Sequence, residues 1–375
     1  MRTGFVRKAS TTAACFGVMV VFMACSCMGV LAEDSLPSSC LLEGVPLYQQ
    51  IDSKGCGAVS LQMVFEYYGP FIDQREIYNA ARSGGTTLPD MARAAQFSYL
   101  STTMGDRFPD ATVDGYTGRD IGYAGFFYAS TEPWLDELKS IVAQGYPVIV
   151  LVEWMPDWDG GDHYRVVIGY DDDEGVLLMR DGWVREFKDD QEYDGSTSQM
   201  ASDKAKDDEY VPFEMTYDDF MTTWSKLDTD IWGVPGKFYG AVLVTPWEID
   251  IAVPQHISVG DEFVVTATAE YPCLAPFGDD EFPVFTAEST ELAIALGDGL
   301  ELVSSNPIVS VGDLEAGASV EVSWTVAATD IGSSSVDVLA TGLVSGSLGV
   351  WKDYPAYDYE DLIGGSDTID LMVTG

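Results

Sequence analysis

The sequence predicts an α+β domain followed by an all-β domain, with an export signal ahead of both. Three observations carry this. Apolar residues recur at helical spacing through residues 56–97, the period changes to that of strands from Pro147, and from about residue 248 only short strand-like runs remain. A chain of 375 residues suits two domains, and 46% hydrophobic residues can bury real cores. The expected divisions are a signal peptide at 1–32, an α+β domain at 33–247 and a β-sandwich at 248–375.

At the N-terminus, Arg2, Arg7 and Lys8 form a basic region before the apolar or small stretch from Ala13 to Val30. Val30-Leu31-Ala32 then offers a cleavage site ahead of Glu33-Asp34, the layout of a secretory signal. An uncleaved anchor helix is the alternative, because the apolar stretch approaches spanning length. Lipid modification at Cys25 or Cys27 is a third option. The expected location is extracellular or at the cell surface.

The first helix is expected from Cys56 to Tyr68. Val59, Met63 and Tyr67 recur at i, i+4 and i+8, and Gly69-Pro70 stops the run. Asp73 with Glu76 reads as a capping box before Ile77-Tyr78. Leu88 to Phe97 reads as a helix, and Thr131 as the cap of another that runs from Pro133 to Gln144 and ends at Gly145. The continuous apolar run from Pro147 to Trp154 is a buried strand. His163–Tyr170 and Val176–Met179 read as a hairpin around the turn Asp171 to Gly175. Residues 188–210 are polar and acidic, hence a loop; Thr216 caps a short helix through Trp224, and Phe238–Val244 is a closing strand.

Beyond Pro246-Trp247, strands are expected at Ile249–Val253, Glu262–Ala269, Leu292–Leu296, Ser319–Ala327 and Ser335–Ala340, separated by Gly, Pro, Asn and Asp turns. That spacing argues a β-sandwich. The segment carries no recognisable chemistry, and His256 belongs on a surface turn.

The formal charge of −42, from 61 acidic and 19 basic residues, repels phosphate backbones and argues against a nucleic-acid partner. The acidity fits either a solvation shell for salty surroundings or the binding of multivalent cations by carboxylate clusters. Neither Asp157 to Asp162 nor Asp171 to Glu174 has calcium-loop spacing, so both read as solvated turns. No Gly-rich phosphate loop or paired-cysteine zinc spacing occurs, and no metal or cofactor is expected.

Cys15, Cys25 and Cys27 lie in the signal, leaving Cys40, Cys56 and Cys273. An odd number in an exported protein points to a reactive thiol, although a Cys40–Cys273 bridge is open. A thiol nucleophile needs a base, and His163 and His256 are the only two histidines. His163 shares the α+β domain with Cys56. Cys56 itself stands between Gly55 and Gly57 at the start of the first helix, where a thiolate is favoured and a substrate backbone can approach. The commoner fate of a cysteine is core packing. An acyl-transfer oxyanion needs donors: the Cys56 backbone N–H supplies one, and the pair Gln49-Gln50 offers a side-chain amide. Along the hairpin, Asp181 falls across from a residue two places beyond His163, within diagonal reach, where it would orient the ring. Asp171 and Asp172 remain alternatives, nearer the turn. Trp154, Trp158 and Trp183 either line a cleft or pack in the core.

Three runs together, Val45-Pro46-Leu47-Tyr48-Gln49-Gln50, Gly55-Cys56-Gly57-Ala58 and Gly160 to Asp172, resemble the family-39-like cysteine peptidases. These are papain-superfamily proteins related to the leader peptidases of bacteriocin exporters. The stretch Leu88 to Ala95 and the Pro147 strand are similar too, and the resemblance spans roughly residues 44–247. It implies a papain-like fold, with Gln50 (six residues before Cys56) serving the oxyanion, His163 opening a strand and Asp181 ending the next. Asp162 and Arg165 depart from the family pattern, which has Gly before the His and an apolar residue two after it. Arg165 either pairs with a nearby carboxylate or alters substrate access. The second domain resembles Ig-like repeats of secreted and surface proteins.

The expected function is peptide hydrolysis by Cys56, His163, Asp181 and Gln50 on a peptide or protein substrate. A thiol-dependent amidase or transpeptidase is one alternative. A catalytically silent papain-like surface or binding protein is the other.

Overall fold

The computed structural model describes residues 21–23, 36–82, 86–105, 107–111, 114–157, 161–183, 212–226, 238–274 and 285–375. The expected signal peptide (apart from 21–23), the acidic run 188–210 and Trp158 lie outside them. In chain order, β1 (Val21–Met23) and β2 (Ser39–Leu41) precede helices α1 (Cys56–Tyr68), α2 (Gln74–Ala80) and α3 (Leu88–Gln96). Then come β3 (Ala124–Ser130), α4 (Leu135–Ala143), β4 (Val148–Glu153), β5 (Asp162–Asp171), β6 (Val176–Arg180), β7 (Phe213–Thr216), α5 (Tyr217–Lys226) and β8 (Phe238–Thr245).

One seven-stranded sheet collects the strands from β2 to β8, in the order β3-β8-β4-β5-β6-β7 with β2 also paired to β5. It is antiparallel throughout. β4 is buried along its whole length and β5 at all but its two ends. Both are therefore covered on two faces, which is why their sequences are continuous apolar runs and do not alternate. Helix α1 packs across β5, the contact that positions the site.

Two of the expected caps need correction. Asp73 caps α2 alone, through Arg75 N–H, while the Glu76 carboxylate accepts from Thr117 N–H at 2.8 Å. Thr131 caps nothing, since α4 begins at Leu135 with Trp134 in the capping position and no side-chain bond. A full capping box stands elsewhere, between Thr87 and Asp90 at the start of α3. Thr216 does cap α5, accepting from Asp219 N–H.

From Glu248 onward the chain is β-structure: β9 (Glu248–Ala252), β10 (Ile257–Ser258), β11 (Glu262–Glu270), β12 (Ala287–Leu296), β13 (Leu300–Leu302), β14 (Ile308–Leu314), β15 (Ser319–Ala328), β16 (Gly332–Leu348) and β17 (Tyr357–Thr374). Together with β1 they form two five-stranded sheets. One runs β1-β15-β11-β9 with β13 on β15, the other β10-β17-β16-β12-β14. In β15 every second residue is buried. All five expected strands are present, but β10, β13, β14 and β17 were not anticipated. The longest, β17, hides because Asp358, Glu360, Asp361, Asp367 and Asp370 break its apolar pattern. His256 is exposed in the β9–β10 connection.

The β16–β17 hairpin joins the two halves. Gly122 N–H donates to the Leu362 carbonyl at 2.7 Å, and Gly364 N–H donates back to Gly122 at 3.1 Å. Ser98 donates to Asp361 twice at 2.9 Å, from its backbone N–H and its hydroxyl. Tyr359 donates to the Gln96 side chain at 3.0 Å. Arg93 of α3 and Asp361 of β17, both fully buried, form an ion pair at 3.5 Å.

Candidate active site

Cys56 is half-buried at the first position of α1. The turn before it is built by Asp52, whose carboxylate accepts from Lys54 N–H at 2.8 Å and whose carbonyl accepts from Gly55 N–H at 3.3 Å. Asp52 is in turn fixed by Arg107 at 3.0 Å. Gly55 in the capping position has no side chain to cover the first-turn amides, and that turn holds no carboxylate. Those N–H groups and the positive end of the helix dipole are left to act on an incoming anion. Gly57 serves a different purpose from the one expected. A Cβ there would lie 2.3 Å from Thr86 Oγ1 and 2.8 Å from Met91 Sδ, so the protein and not a substrate fills that space.

His163 and Asp181 meet through the geometry of the β5–β6 hairpin. The register runs Asp171↔Val176 to Gly169↔Leu178, then shifts by one residue so that Val167 faces Met179 and Val166 faces Arg180. One step further, Asp181 lies opposite Arg165, on the same face as Arg165 and His163. Without the bulge at Ile168, Asp181 would face Val166 and point to the other side. With it, His163 Nε2 is 2.7 Å from Asp181 Oδ1, and Arg165 Nε donates to Asp181 Oδ2 at 2.8 Å. The turn is locked by Trp183 N–H to Asp181 Oδ1 at 2.8 Å and by Gln50 N–H to the Gly182 carbonyl at 2.8 Å. Gly182 is required here, because a Cβ would stand 2.3 Å from Val59 Cγ1 on α1.

Cys56 is close enough to His163 to bias the charge of its ring. Nε2 is turned to Asp181, which leaves Nδ1 for another partner. Burial pulls the His163 pKa down, but the Asp181 charge and hydrogen bond, helped by Cys56, outweigh it and leave it raised. For Asp181, burial pushes upward, and the charges and hydrogen bonds of His163 and Arg165 hold its carboxyl well below the usual carboxylate range. The cluster of His163, Arg165 and Asp181 is therefore organised around a charged carboxylate.

Gln50 is fully buried beside this turn. Its amide Nε2 donates to the Asp52 carbonyl at 2.7 Å, so one N–H is spent inside the protein, and Oε1 has no hydrogen-bond partner. A network of glutamines holds the segment: Gln74 donates to the Gln49 carbonyl at 3.0 Å and to Gln62 at 2.8 Å, and accepts from Ile51 N–H at 3.0 Å. Sequence reasoning missed Gln74 and Gln62, which sit as ordinary polar letters on helices.

All four expected site residues thus lie on one set of connected elements. Of the flanking residues, Trp154 packs edge-on to His163 with centroids 4.5 Å apart and to Trp183 at 5.3 Å. Arg165 pairs with a carboxylate, one of the two options expected for it, and its Nη2 donates to the Trp154 carbonyl at 2.7 Å. Asp171 and Asp172 are elsewhere. Asp171 accepts from Asp173 and Glu174 in the turn, and Asp172 pairs with Lys139 at 2.5 Å. Cys40 and Cys273 are both free thiols, so the open disulfide is not formed. Among the described residues no group of three His, Cys, Asp or Glu side chains converges as a metal site.

Residues 42–207 match the model of the Peptidase_C39 like family, a span that contains Gln50, Cys56, His163 and Asp181. The chain is similar to the peptidase domain of Streptococcus ComA, described as a bi-functional ABC transporter involved in a quorum-sensing pathway. Identity is 17% over 54% of this chain and 98% of that one, with a TM-score of 0.31. It is also similar to a cohesin module from a Clostridium perfringens ATCC13124 family 33 glycoside hydrolase, at 13% identity over 35% of this chain and 98% of that one, with a TM-score of 0.19. No curated protein matches the chain.

Proposed function

We propose that the C39-like segment, residues 42–207, is the catalytic part of an exported cysteine peptidase that hydrolyses peptide bonds through a thioester. The observation that carries this reading is the 2.7 Å pairing of His163 with Asp181, with Cys56 at the start of α1 near enough to act on the same ring.

In the acylation step the Cys56 proton passes to His163 Nδ1 and the sulfur adds to the scissile carbonyl. The tetrahedral oxyanion is met by the Cys56 backbone N–H and by the Gln50 amide N–H not bonded to Asp52. Collapse breaks the C–N bond, and the imidazolium gives its proton to the leaving amine. Water then loses a proton to the same ring, attacks the thioester and releases the acid, and the proton returns to sulfur. Asp181 fixes the ring and stabilises the imidazolium, and Arg165 holds Asp181. Export is supported by the signal layout of residues 1–32, and a salty exterior by the −42 charge.

The test is covalent labelling by a thiol-directed peptidase inhibitor, read by intact mass, beside hydrolysis of a quenched fluorescent peptide library. One inhibitor per chain, lost in Cys56→Ala along with hydrolysis, is the expected result. Folded protein that neither labels nor cleaves any library member overturns the reading.

A further inference from the structure

Beyond joining the domains, the β16–β17 hairpin carries its connecting loop to the catalytic half. Trp351 and Tyr354 close a tight turn with paired backbone hydrogen bonds of 3.1 and 2.9 Å, and Lys352 within it has a left-handed φ of 50°. The loop is anchored from the other domain: Arg82 Nη1 donates to the Gly349 carbonyl at 2.6 Å. Arg82 is itself held by Asp90 at 2.5 Å, and Asp90 also accepts from the Thr87 hydroxyl at 2.7 Å. The residue before Thr87 is Thr86, whose hydroxyl packs where a Gly57 side chain would stand and whose carbonyl accepts from Tyr164 at 3.1 Å. Gly57 and Tyr164 follow Cys56 and His163 directly in the chain. The Lys352 ammonium lies within electrostatic reach of Lys54, Asp162 and Asp90, of which two flank Cys56 and His163.

Between this loop and the start of α3 is a cavity of about 390 Å³. Thr87 lines it at the start of α3, and Phe127, Phe285, Leu348, Val350 and Trp351 supply apolar walls from both domains. Its one charged wall residue, Arg82, is neutralised by Asp90. The volume falls at the small end of ligand pockets, about 300–1,000 Å³.

We propose that this cavity is a substrate subsite built by both domains, which takes a bulky apolar side chain of the peptide near the scissile bond, with the Gly349–Ala356 loop as its outer wall. The occupant follows from the apolar lining and from the place of the cavity: its wall residue Thr87 directly follows Thr86, which packs against Gly57 beside Cys56. The inference rests on the peptidase reading for its substrate, and its test is made independent of turnover.

Cys56→Ala protein is titrated with fluorescein-labelled hexapeptide pools in which one position at a time is Phe, Leu, Gly or Asp, and binding is read by anisotropy. At one position Phe and Leu should bind about tenfold more tightly than Gly. That preference should vanish in Cys56→Ala/Trp351→Ala and in Cys56→Ala/Val350→Glu. Val350 is 74% exposed, so its replacement tests the wall without disturbing the core, and thermal melting checks the Trp351 variant. A preference retained in the Val350→Glu protein, or no apolar preference at any position, overturns the proposal. Inhibitor labelling of wild-type Cys56 decides the peptidase reading separately.

Discussion

Asp181 serves two partners with one carboxylate, Oδ1 toward His163 and Oδ2 toward Arg165. Removing the charge by Asp181→Asn should lower the His163 pKa, because the interactions that outweigh burial are lost. The chain has only two histidines, and His256 is exposed, so imidazole NMR titration can follow each ring; an unchanged His163 titration would contradict the pairing. The sign for stability follows. A raised His163 pKa stabilises the fold fully below the unfolded value of about 6.5 and is lost as pH climbs through the folded value. A depressed Asp181 pKa stabilises above its unfolded value of about 3.9 and is lost as pH falls toward the folded one. The pair should therefore contribute most between about pH 4 and 6.5, where urea midpoints of wild type and His163→Asn differ most. Arg165→Leu removes the guanidinium from a largely buried carboxylate, leaving it His163 and the Trp183 N–H, and should cost about 3 kcal/mol. Arg165→Lys should recover only part of that, because an ammonium cannot bridge Asp181 and the Trp154 carbonyl as a planar guanidinium does. A shift in the pH profile of Cys56 alkylation would mark Arg165 as a positioning residue and not merely a structural one.

At the scale of elements, the site depends on a one-residue irregularity in β5 and on a close approach between the β6 end and α1. The approach is testable by a pair of substitutions. Gly182→Ala drives a methyl into Val59 and should destabilise the protein by about 1–3 kcal/mol while displacing Asp181. Val59→Ala in the same chain removes the obstructing branch and should restore alkylation of Cys56 toward the wild-type rate. If the double variant is no better than the single one, the contact is not what holds the turn. The helix α1, the buried strand β4 and the β5–β6 hairpin were legible because apolar spacing and turn residues specify them locally. Asp181's diagonal relation to His163 was legible as a distance along the hairpin. The bulge that puts both on one face was not, since Ile168 is an ordinary apolar letter in an apolar run. The glutamine network was equally silent, because a buried Gln looks like a solvated one until its partners are known.

For the whole molecule, two electrostatic facts dominate. The −42 charge makes self-repulsion a cost of compactness, and salt shortens its range to about 3 Å at 1 M. The melting temperature should accordingly rise with added NaCl at neutral pH, and a flat or falling dependence in calorimetry would count against a screened acidic shell. The second fact is the buried Arg93–Asp361 pair that fastens β17 to α3. Burial raises the Asp361 pKa while Arg93 and the Ser98 hydrogen bonds pull it down, with the net shift upward. Asp361→Ala leaves Arg93 uncompensated and should lower stability by about 3–5 kcal/mol, whereas Arg93→Met with Asp361→Leu should be far milder. Comparable losses in both variants would mean that packing and not charge holds the seam.

The sequence by itself determined the candidate chemistry and the fold class of each half. A cysteine at a helix start, one histidine in reach of it and an aspartate at the next strand's end are local facts that residue type and spacing can carry. Only the tertiary structure decided which face Asp181 occupies, what Gly57 and Gly182 make room for, and that the tip of a distant hairpin stands beside the α+β half. Those relations depend on register and on contacts between residues hundreds of positions apart, and local periodicity holds no information about either.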